Sequence, residues 1–448
     1  MKTSTARFVG RIPALLSSSL PNARRQMSKS ALGSYYTRNR INFNGLASLV
    51  GHRQFVSLST LPPSLTPSRH SKPNQNATAA IRGHRNSLRY FSSEDAEAEE
   101  LEPRESMAFD VLIVGGGPAG LAAAIRLKQL CLEKDTDLSV CVIDKGSEIG
   151  AHILSGNVFD PKAICELFPQ WAGSDIESEE DEDENPHWTQ VFFDSQGSHA
   201  TPVESDTFQV LTEGGAAYSI PGMLLPSQLH NDGNYVVSLS QLCRWLAEEA
   251  ENLGVEIYPG FAASEVLLSP ATNDEGDSNS ETAVLGIATR DVGISKDGTP
   301  KATFERGVEL RARQTLFAEG ARGSCSEFIM DHFGLRDDES IQTQTYGLGI
   351  KEVWEVPEEV FQKGLVQHTL GFPLQSSPTD DVFGGSFLYH QEPNLVLAGI
   401  VIGLDYKNPY INPYREFQKW KTHPEIRKHF EGGTCISYGA RVLNEGTF

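Results

Sequence analysis

The stretch VLIVGGGPAGLAAAIRL, residues 111 to 127, constrains the fold more than any other part of this chain. A β-branched apolar run enters three glycines and leaves in an alanine-rich helix. Gly115-Gly116-Gly117-Pro118-Ala119-Gly120 satisfies G-x-G-x-x-G between a strand and a helix. Gly115 allows the tight turn, Gly117 lets a pyrophosphate reach the backbone, and Gly120 lets helix pack on strand. Pro118 sits at the first helical position, where its missing N–H is harmless. Free amides and the helix dipole at that end favour phosphate. A second apolar strand, Leu138 to Ile143, ends at Asp144, placed to bond the ribose hydroxyls of a bound dinucleotide, with Lys145 beside it. The acid disfavours a 2′-phosphate, and Lys145 keeps that from being decisive. These elements make one βαβ opening of a doubly wound sheet, in an α/β protein.

The motif starts more than a hundred residues into the chain. Of the 448 residues, the first 93 carry 14 Lys and Arg and no Asp or Glu, although the whole chain has a net charge of -21. An Arg- and Ser-rich, acid-free leader with no sustained apolar run has the character of a mitochondrial transit peptide, expected over residues 1–91. A processing site is expected near Arg89-Tyr90-Phe91-Ser92-Ser93. The acidic balance of the remainder argues against nucleic acid as a partner. Cys131, Cys141, Cys165, Cys243, Cys325 and Cys435 contain no C-x-x-C pair, so neither a disulfide scaffold nor a zinc or iron–sulfur ligand set is read from them. No segment reaches the ~18 apolar residues a membrane-spanning helix needs.

Further along, residues 174 to 187 and 271 to 282 read as surface loops. Ser238-Leu239-Ser240-Gln241 is a capping-box pattern opening a helix to Leu253, stopped by Gly254. Val255 to Tyr258 reads as a strand. Thr282 to Phe317 reads as a β-meander ending in a second glycine turn, Glu319-Gly320-Ala321-Arg322-Gly323. Residues 413 to 430 are helical in pattern and basic. No Ser-His-acid, paired-carboxylate or metal-ligand set stands out, so no catalytic or metal residue is assigned. His152, His230, His368 and His390 read as structural. Two stretches are unusually apolar, Ile149 to Gln170 and Tyr218 to Leu229. They bury in the core or rest on a membrane surface and admit a lipid-soluble substrate.

The order of elements bears on the nucleotide. A long excursion follows the second strand before the meander and second glycine turn bring the chain back. By pattern analogy, that suits a two-domain flavoprotein in which Gly320 and Arg322 approach the same cofactor again.

The mature part resembles the electron-transfer flavoprotein:ubiquinone oxidoreductase family, from the glycine fingerprint to the last residue. IGAHILSG, HNDGNYVVSLSQLCRWLAEEAENLGVEIYPG, TLFAEGARGSC, YGLGIKEVWEV, GGSFLYH, VIGLDYKNPYINPYREFQKWKTHPEI and YGARVLNEG carry the resemblance. It implies FAD held at residues 111 to 125, a monotopic enzyme on the matrix side of the mitochondrial inner membrane, and electrons taken from electron-transfer flavoprotein and passed to ubiquinone. The family's membrane-dipping segment corresponds to Ile149 to Gln170, and its quinone-site glycine pair to Gly384 and Gly385, where Cβ-less residues would let a flat ring approach. The expected organisation is a Rossmann-like FAD-binding domain (107–170 with 230–345) interleaved with an α+β quinone-binding domain (171–229 with 346–430). Residues 431–448 are expected to begin a return to the FAD domain.

Family members continue into a ferredoxin-like domain whose four cysteines hold a [4Fe–4S] cluster. The resemblance therefore implies a chain ending at Phe448 with that domain and its ligands absent. Two alternatives stand beside this reading. One is an NAD(P)H-dependent flavoprotein of the geranylgeranyl-reductase or aromatic-hydroxylase type. The other is a non-catalytic remnant.

Overall fold

A computed structural model describes residues 103–153, 156–173, 186–269, 282–338, 344–375 and 382–445. The expected leader and most of the two loops at 174–187 and 271–282 lie outside these residues.

The opening unit is β1 (Ser106–Val114), α1 (Pro118–Glu133) and β2 (Val140–Asp144). An excursion follows through β3 (Asn157–Phe159), α2 (Lys162–Leu167), α3 (Trp188–Gln196), β4 (Thr201–Pro202), β5 (Ser205–Leu211), β6 (Ala217–Ser219) and β7 (Tyr235–Val237). The chain returns with α4 (Leu239–Asn252), β8 (Glu256–Pro259), β9 (Ala263–Leu268), β10 (Val284–Thr289), β11 (Val292–Ile294), β12 (Pro300–Glu305), β13 (Glu309–Phe317) and α5 (Ser324–His332). The last stretch carries β14 (Thr345–Glu355), β15 (Leu365–Gly371), β16 (Gly384–Gln391), β17 (Leu395–Gly403), α6 (Pro413–Thr422), α7 (Pro424–Arg427) and β18 (Thr434–Glu445).

The first sheet runs β8-β2-β1-β13-β10-β9. Its first four strands are mutually parallel, and β10 and β9 add antiparallel edges. A parallel strand covered on both faces reads as an unbroken apolar run, which is why Val111 to Val114 does not alternate in polarity. The pleat sorts it instead. Val111 and Ile113 pack with Leu121, Ala124 and Ile125 of α1, while Leu112 and Val114 pack with Cys141, Ile143 and Leu310 on the other face. β13, reached through the meander, lies directly beside β1. The α4 helix starts as its sequence signals, with Ser238 Oγ accepting from the Gln241 N–H, and it ends against Gly254 at φ +85.

The second sheet runs β18-β14-β17-β16-β15-β5-β6, antiparallel except for β15 on β5. Phe417 and Trp420 of α6 bury against Leu388, Ala398, Ile400 and Ile402 on one face. The basic segment from 413 is two helices rather than one, because Pro424 cannot donate into a continuing helix. On the other face Val353, Val366, Phe387, Tyr389 and Leu397 meet Val236 of β7. β7 is the centre of a small sheet, β3-β7-β4, and it joins the two cores through alternation. Val236 packs on the second sheet and Val237 in the first core.

Three boundaries differ from the sequence expectation. Residues 431–448, expected to begin a return to the first sheet, instead form β18 at the edge of the second. It pairs with β14 from Thr345↔Glu445 to Glu355↔Thr434, because the whole length of β14 offers a free ladder edge there. The span 171–229 is divided: β5 and β6 join the second sheet, while α3 buries Trp188 and Phe192 in the first core. In the expected membrane-dipping segment, Ile149 to Gln170, the described large apolar side chains are buried or half-buried, while Asp160, Lys162, Glu166 and Gln170 are exposed. Ile149, Ile164, Leu167 and Phe168 are buried. The Phe168 ring stands 5.6 Å from Trp245 and 4.7 Å from Trp171, and Trp245 in turn lies 5.9 Å from Phe192. An apolar stripe on α2 finds these aromatic rings before it can find a membrane.

Candidate functional site

Gly115 bends the chain at φ +115, with its N–H bonded to Ile143 O at 2.8 Å. A Cβ there would lie 2.2 Å from Ala318 O, and one on Gly120 would lie 2.0 Å from Gly115 O. Both glycines are thus required by the protein's own backbone. Gly117 differs: a Cβ there meets nothing within 4 Å. It is the N-cap of α1, and no side chain caps that helix. Pro118 and Ala119 are exposed beside it. The loop therefore presents free amides and a helix N-terminus to an open space, which is the cradle a pyrophosphate requires.

Asp144 braces this loop. Its Oδ2 accepts from the Gly116 N–H at 2.9 Å and its Oδ1 from the Gly146 N–H at 2.7 Å. A carboxylate has about four lone-pair directions, so both oxygens can accept again from a ribose hydroxyl. Lys145 is exposed.

The second glycine turn does come to the first. Ala318 N–H donates to Val114 O at 2.8 Å, and Gly320 sits at φ +86 on the surface. Arg322 pairs with Glu327, which raises the guanidinium pKa, so this arginine is turned along α5. Glu319 was missed by sequence reasoning. Its carboxylate accepts from Ser326 N–H and Oγ–H, each at 2.7 Å, and so caps α5. An acid several residues ahead of a Ser-rich helix start was the available signal.

A cavity of about 470 Å³ lies beside the loop, lined by Glu148, Gly150 to Ile153, Ser240, Arg244 and Ser437 to Arg441. The turn at 148–153 connects it to the glycines, since Ile149 Cδ1 would be 2.4 Å from a Cβ on Gly116. Arg244 pairs with Glu148 at 2.6 Å and donates to Ile149 O at 3.3 Å. Arg441 donates to His152 O at 2.6 Å, tying β18 to the turn. Neither arginine was singled out from the sequence, because their relation spans nearly 200 residues.

The expected quinone pair begins β16. Gly384 has φ +152, and a Cβ there would lie 2.3 Å from Val401 O. A Cβ on Gly385 would lie 3.1 Å from both Leu370 Cδ2 and Thr369 O. Close strand packing accounts for Gly384 on its own. The adjacent Phe383 is 66% exposed.

The histidines keep to structural bonds. His390 Nδ1 accepts from the Gln362 N–H at 3.0 Å, and its Nε2 meets His429 Nδ1 at 3.1 Å. Burial, with the neighbouring imidazole, lowers the His390 pKa to about 3, and burial lowers His429 to about 4. His368 Nε2 is 2.9 Å from the Tyr389 hydroxyl, His152 contributes its carbonyl to Arg441, and His230 Nε2 lies 3.4 Å from Leu225 O. Tyr218 to Leu229 ends β6 and then runs outside the core through two 3₁₀ turns, with Met223 90% and Leu224 71% exposed. Among the described residues no group of three or more His, Cys, Asp or Glu could hold a metal ion, and no helix is long and apolar enough to cross a membrane.

Comparison with known proteins agrees with this division. Residues 113–192 match the family model of an NAD(P)-binding Rossmann-like domain, and residues 346–443 match that of the ETF-QO ubiquinone-binding domain. The mitochondrial electron transfer flavoprotein-ubiquinone oxidoreductase of Dictyostelium discoideum is 51% identical over 362 residues, covering 81% of this chain and 52% of its own length. The human protein of that name is 49% identical over 343 residues, covering 76% of this chain and 49% of its own. The chain thus spans about half the length of the curated relatives it matches. Among solved structures, a geranylgeranyl bacteriochlorophyll reductase-like protein from Thermoplasma acidophilum aligns with a TM-score of 0.46 at 14% identity, covering 75% of this chain and 66% of its own. With a Rossmann-like unit at one end and that ubiquinone-binding domain at the other, this chain is a homologue of the electron transfer flavoprotein-ubiquinone oxidoreductases.

Proposed function

We propose that the chain binds FAD and passes electrons from reduced electron transfer flavoprotein to ubiquinone, at the matrix face of the mitochondrial inner membrane. One observation carries this reading: the uncapped glycine loop shares a compact unit with a second sheet whose β14 to β18 coincide with the ubiquinone-binding match at 346–443. The names of the relatives supply the donor and the compartment.

In this reading Gly115, Gly117, Pro118, Ala119 and Gly120 hold the pyrophosphate, and Asp144 and Lys145 meet the adenosine ribose. Gly320 and Arg322 approach the cofactor from the second turn. FAD, when bound, supplies the electron-carrying ring, and the chain's residues bind and orient it. The quinone enters near Gly384 and Gly385, a role that rests on the family resemblance and on the exposed Phe383 beside them. The surface turn with exposed Met223 and Leu224 is an apolar element free to meet lipid.

The test uses the full chain with added FAD. Flavin absorbance should remain after gel filtration, bleach when reduced electron transfer flavoprotein is mixed in without oxygen, and recover with a short-tailed ubiquinone. Bleaching by NADPH and none by the flavoprotein would overturn the reading in favour of a nicotinamide-dependent enzyme. Loss of all flavin would leave a non-catalytic chain.

A further inference from the structure

Turning a quinone into a quinol takes two protons as well as two electrons, so a quinone site needs a group that can release a proton. Residues directly paired on neighbouring strands stand on the same face of a sheet. One such row crosses the second sheet as Phe208 on β5, His368 on β15, Phe387 on β16, Gly399 on β17, Lys351 on β14 and Gly439 on β18. Two residues along, the same face carries Leu370 of β15 and Gly385 of β16, and a Cβ on Gly385 would lie 3.1 Å from Leu370 Cδ2. His368 therefore stands one row from the expected quinone pair. Leu370 is 38% exposed, so that end of the face is open. The exposed apolar turn is tied to the neighbouring strand: Ile220 N–H donates to Phe208 O at 2.8 Å, and Asn231 donates to Asp206 Oδ2 at 3.1 and 2.9 Å. Met223 and Leu224 project from the segment between these two ties.

His368 is half-buried, and its Nε2 lies 2.9 Å from the Tyr389 hydroxyl. Among the described residues nothing bonds its Nδ1, whereas His390 has both ring nitrogens occupied. Tyr389 is buried, and among the described residues Nε2 is the acceptor that its hydroxyl has. Donation from that hydroxyl leaves the single proton of the neutral ring on Nδ1. The Phe208 ring stacks at 6.3 Å and 28° and fixes the plane of the imidazole. Burial lowers the His368 pKa and the Asp206 carboxylate opposes it, so the ring is uncharged at neutral pH and takes a proton when negative charge arrives beside it. The other titratable groups on this face are placed differently. Burial pushes the Tyr389 phenol up, and the Lys351 ammonium donates to Gly156 O and lies 5.2 Å from the centroid of the Phe387 ring. Asp206 is exposed and shares the next row with Tyr389, across Val366.

We infer, on the ubiquinone-reducing function proposed above, that His368 is the proton donor to a quinone seated against Gly385. As electrons from the reduced cofactor build negative charge on the quinone oxygen, the ring takes a proton at Nε2 from the Asp206 side, where solvent reaches, and the Tyr389 hydroxyl turns to accept. The ring passes its Nδ1 proton to the quinone oxygen, so one N–H bond breaks and one O–H bond forms. The second oxygen takes its proton from solvent, and two electrons and two protons together give the quinol. Tyr389 is the positioning residue, because its hydroxyl sets which nitrogen carries the proton.

The experiment follows reoxidation of the photoreduced, FAD-loaded full chain in a stopped-flow instrument, with two acceptors. One is a short-tailed ubiquinone, and the other is ferricenium, which takes one electron and no proton. In wild type the quinone rate should fall as pH rises between about 5 and 8, as the ring loses its proton. In His368→Gln the quinone rate at saturation should drop about a hundredfold and lose that pH dependence, with the ferricenium rate unchanged. Tyr389→Phe should move the pH midpoint of the quinone reaction upwards, since a hydroxyl donating to Nε2 favours the uncharged ring, and it serves if His368→Gln does not fold. An unchanged quinone rate and pH profile in flavin-loaded His368→Gln, or an unmoved midpoint in Tyr389→Phe, overturns the assignment. So does an equal slowing towards ferricenium, which would trace the effect to the flavin. A wild-type chain reoxidised by ferricenium and not by ubiquinone overturns the quinone reading itself, and the assignment with it.

Discussion

A Cβ on Gly115 would stand 2.2 Å from the carbonyl oxygen of Ala318, so the two glycine turns of this protein touch through backbone alone. That contact separates glycines needed by the fold from glycines needed by a ligand.

Gly115→Ala should damage both stability and cofactor retention. The methyl group meets a carbonyl, and φ +115 is strained for any L residue, at roughly 1–3 kcal/mol for the backbone alone. Gly117→Ala should leave the melting temperature unchanged, because its Cβ has open space, yet weaken FAD binding at least about tenfold by intruding on the phosphate. Melting curves and flavin fluorescence titrations distinguish the two. Equal stability loss in both variants would refute the division.

Asp144→Asn replaces an oxygen that accepts a backbone N–H with an amide that cannot. Whichever way the amide turns, one of the Gly116 and Gly146 donors loses its partner. The expected loss is about 1–3 kcal/mol in unfolding free energy, together with weaker FAD binding. Denaturant midpoints report the first and titration the second.

The His390–His429 pair predicts acid sensitivity. Both folded pKa values, about 3 and about 4, lie below the ordinary imidazole value, so the unfolded chain binds more protons on falling pH. Their contribution is complete above about pH 6.5 and is lost as pH falls towards those folded values. Urea unfolding should show a loss on the order of 2–3 kcal/mol between pH 6.5 and 5 from this pair. The slope should flatten in His429→Asn; an unaltered slope would place the acid sensitivity elsewhere.

Lys421 bridges α6 to Glu352 on β14 at 2.6 Å, with side chains only 14% and 9% exposed. Trp354 Nε1–H also donates to this carboxylate, at 2.8 Å. Lys421→Met should cost about 3–5 kcal/mol by stranding the charge on Glu352. Adding Glu352→Gln should recover most of that loss. A double variant as unstable as the single one would show that the contacts of the Lys421 ammonium over the Trp354 and Phe417 rings dominate.

Membrane contact is tested at the exposed turn. Met223→Ser with Leu224→Ser should reduce partitioning onto phosphatidylcholine–cardiolipin vesicles by about tenfold or more, since apolar burial in lipid scales with the area removed. Stability should not change, because neither side chain packs in the core. Full retention of vesicle binding would move the contact to another surface.

Much of the first domain was legible from residues 111 to 144, and the reason is locality. The glycine turn, Pro118 at the helix start, the capping by Ser238 and the stop at Gly254 each act within a few residues. Arg322 in the second turn is held by Glu327 of α5, a partner that spacing alone does not single out. His429, Glu319, Arg244 and Arg441 were not singled out at all.

The sequence by itself determined where a dinucleotide can bind and that a second domain interrupts the first, because turn chemistry and strand periodicity are properties of neighbouring residues. Only the tertiary structure decided that Ile149, Ile164, Leu167 and Phe168 turn inward, that β18 takes the edge of β14, and that Lys351 stands beside Gly439, 88 positions on. Those outcomes depend on which surfaces meet across strands far apart in the chain. A one-residue change of register would have turned Lys351 to the opposite face.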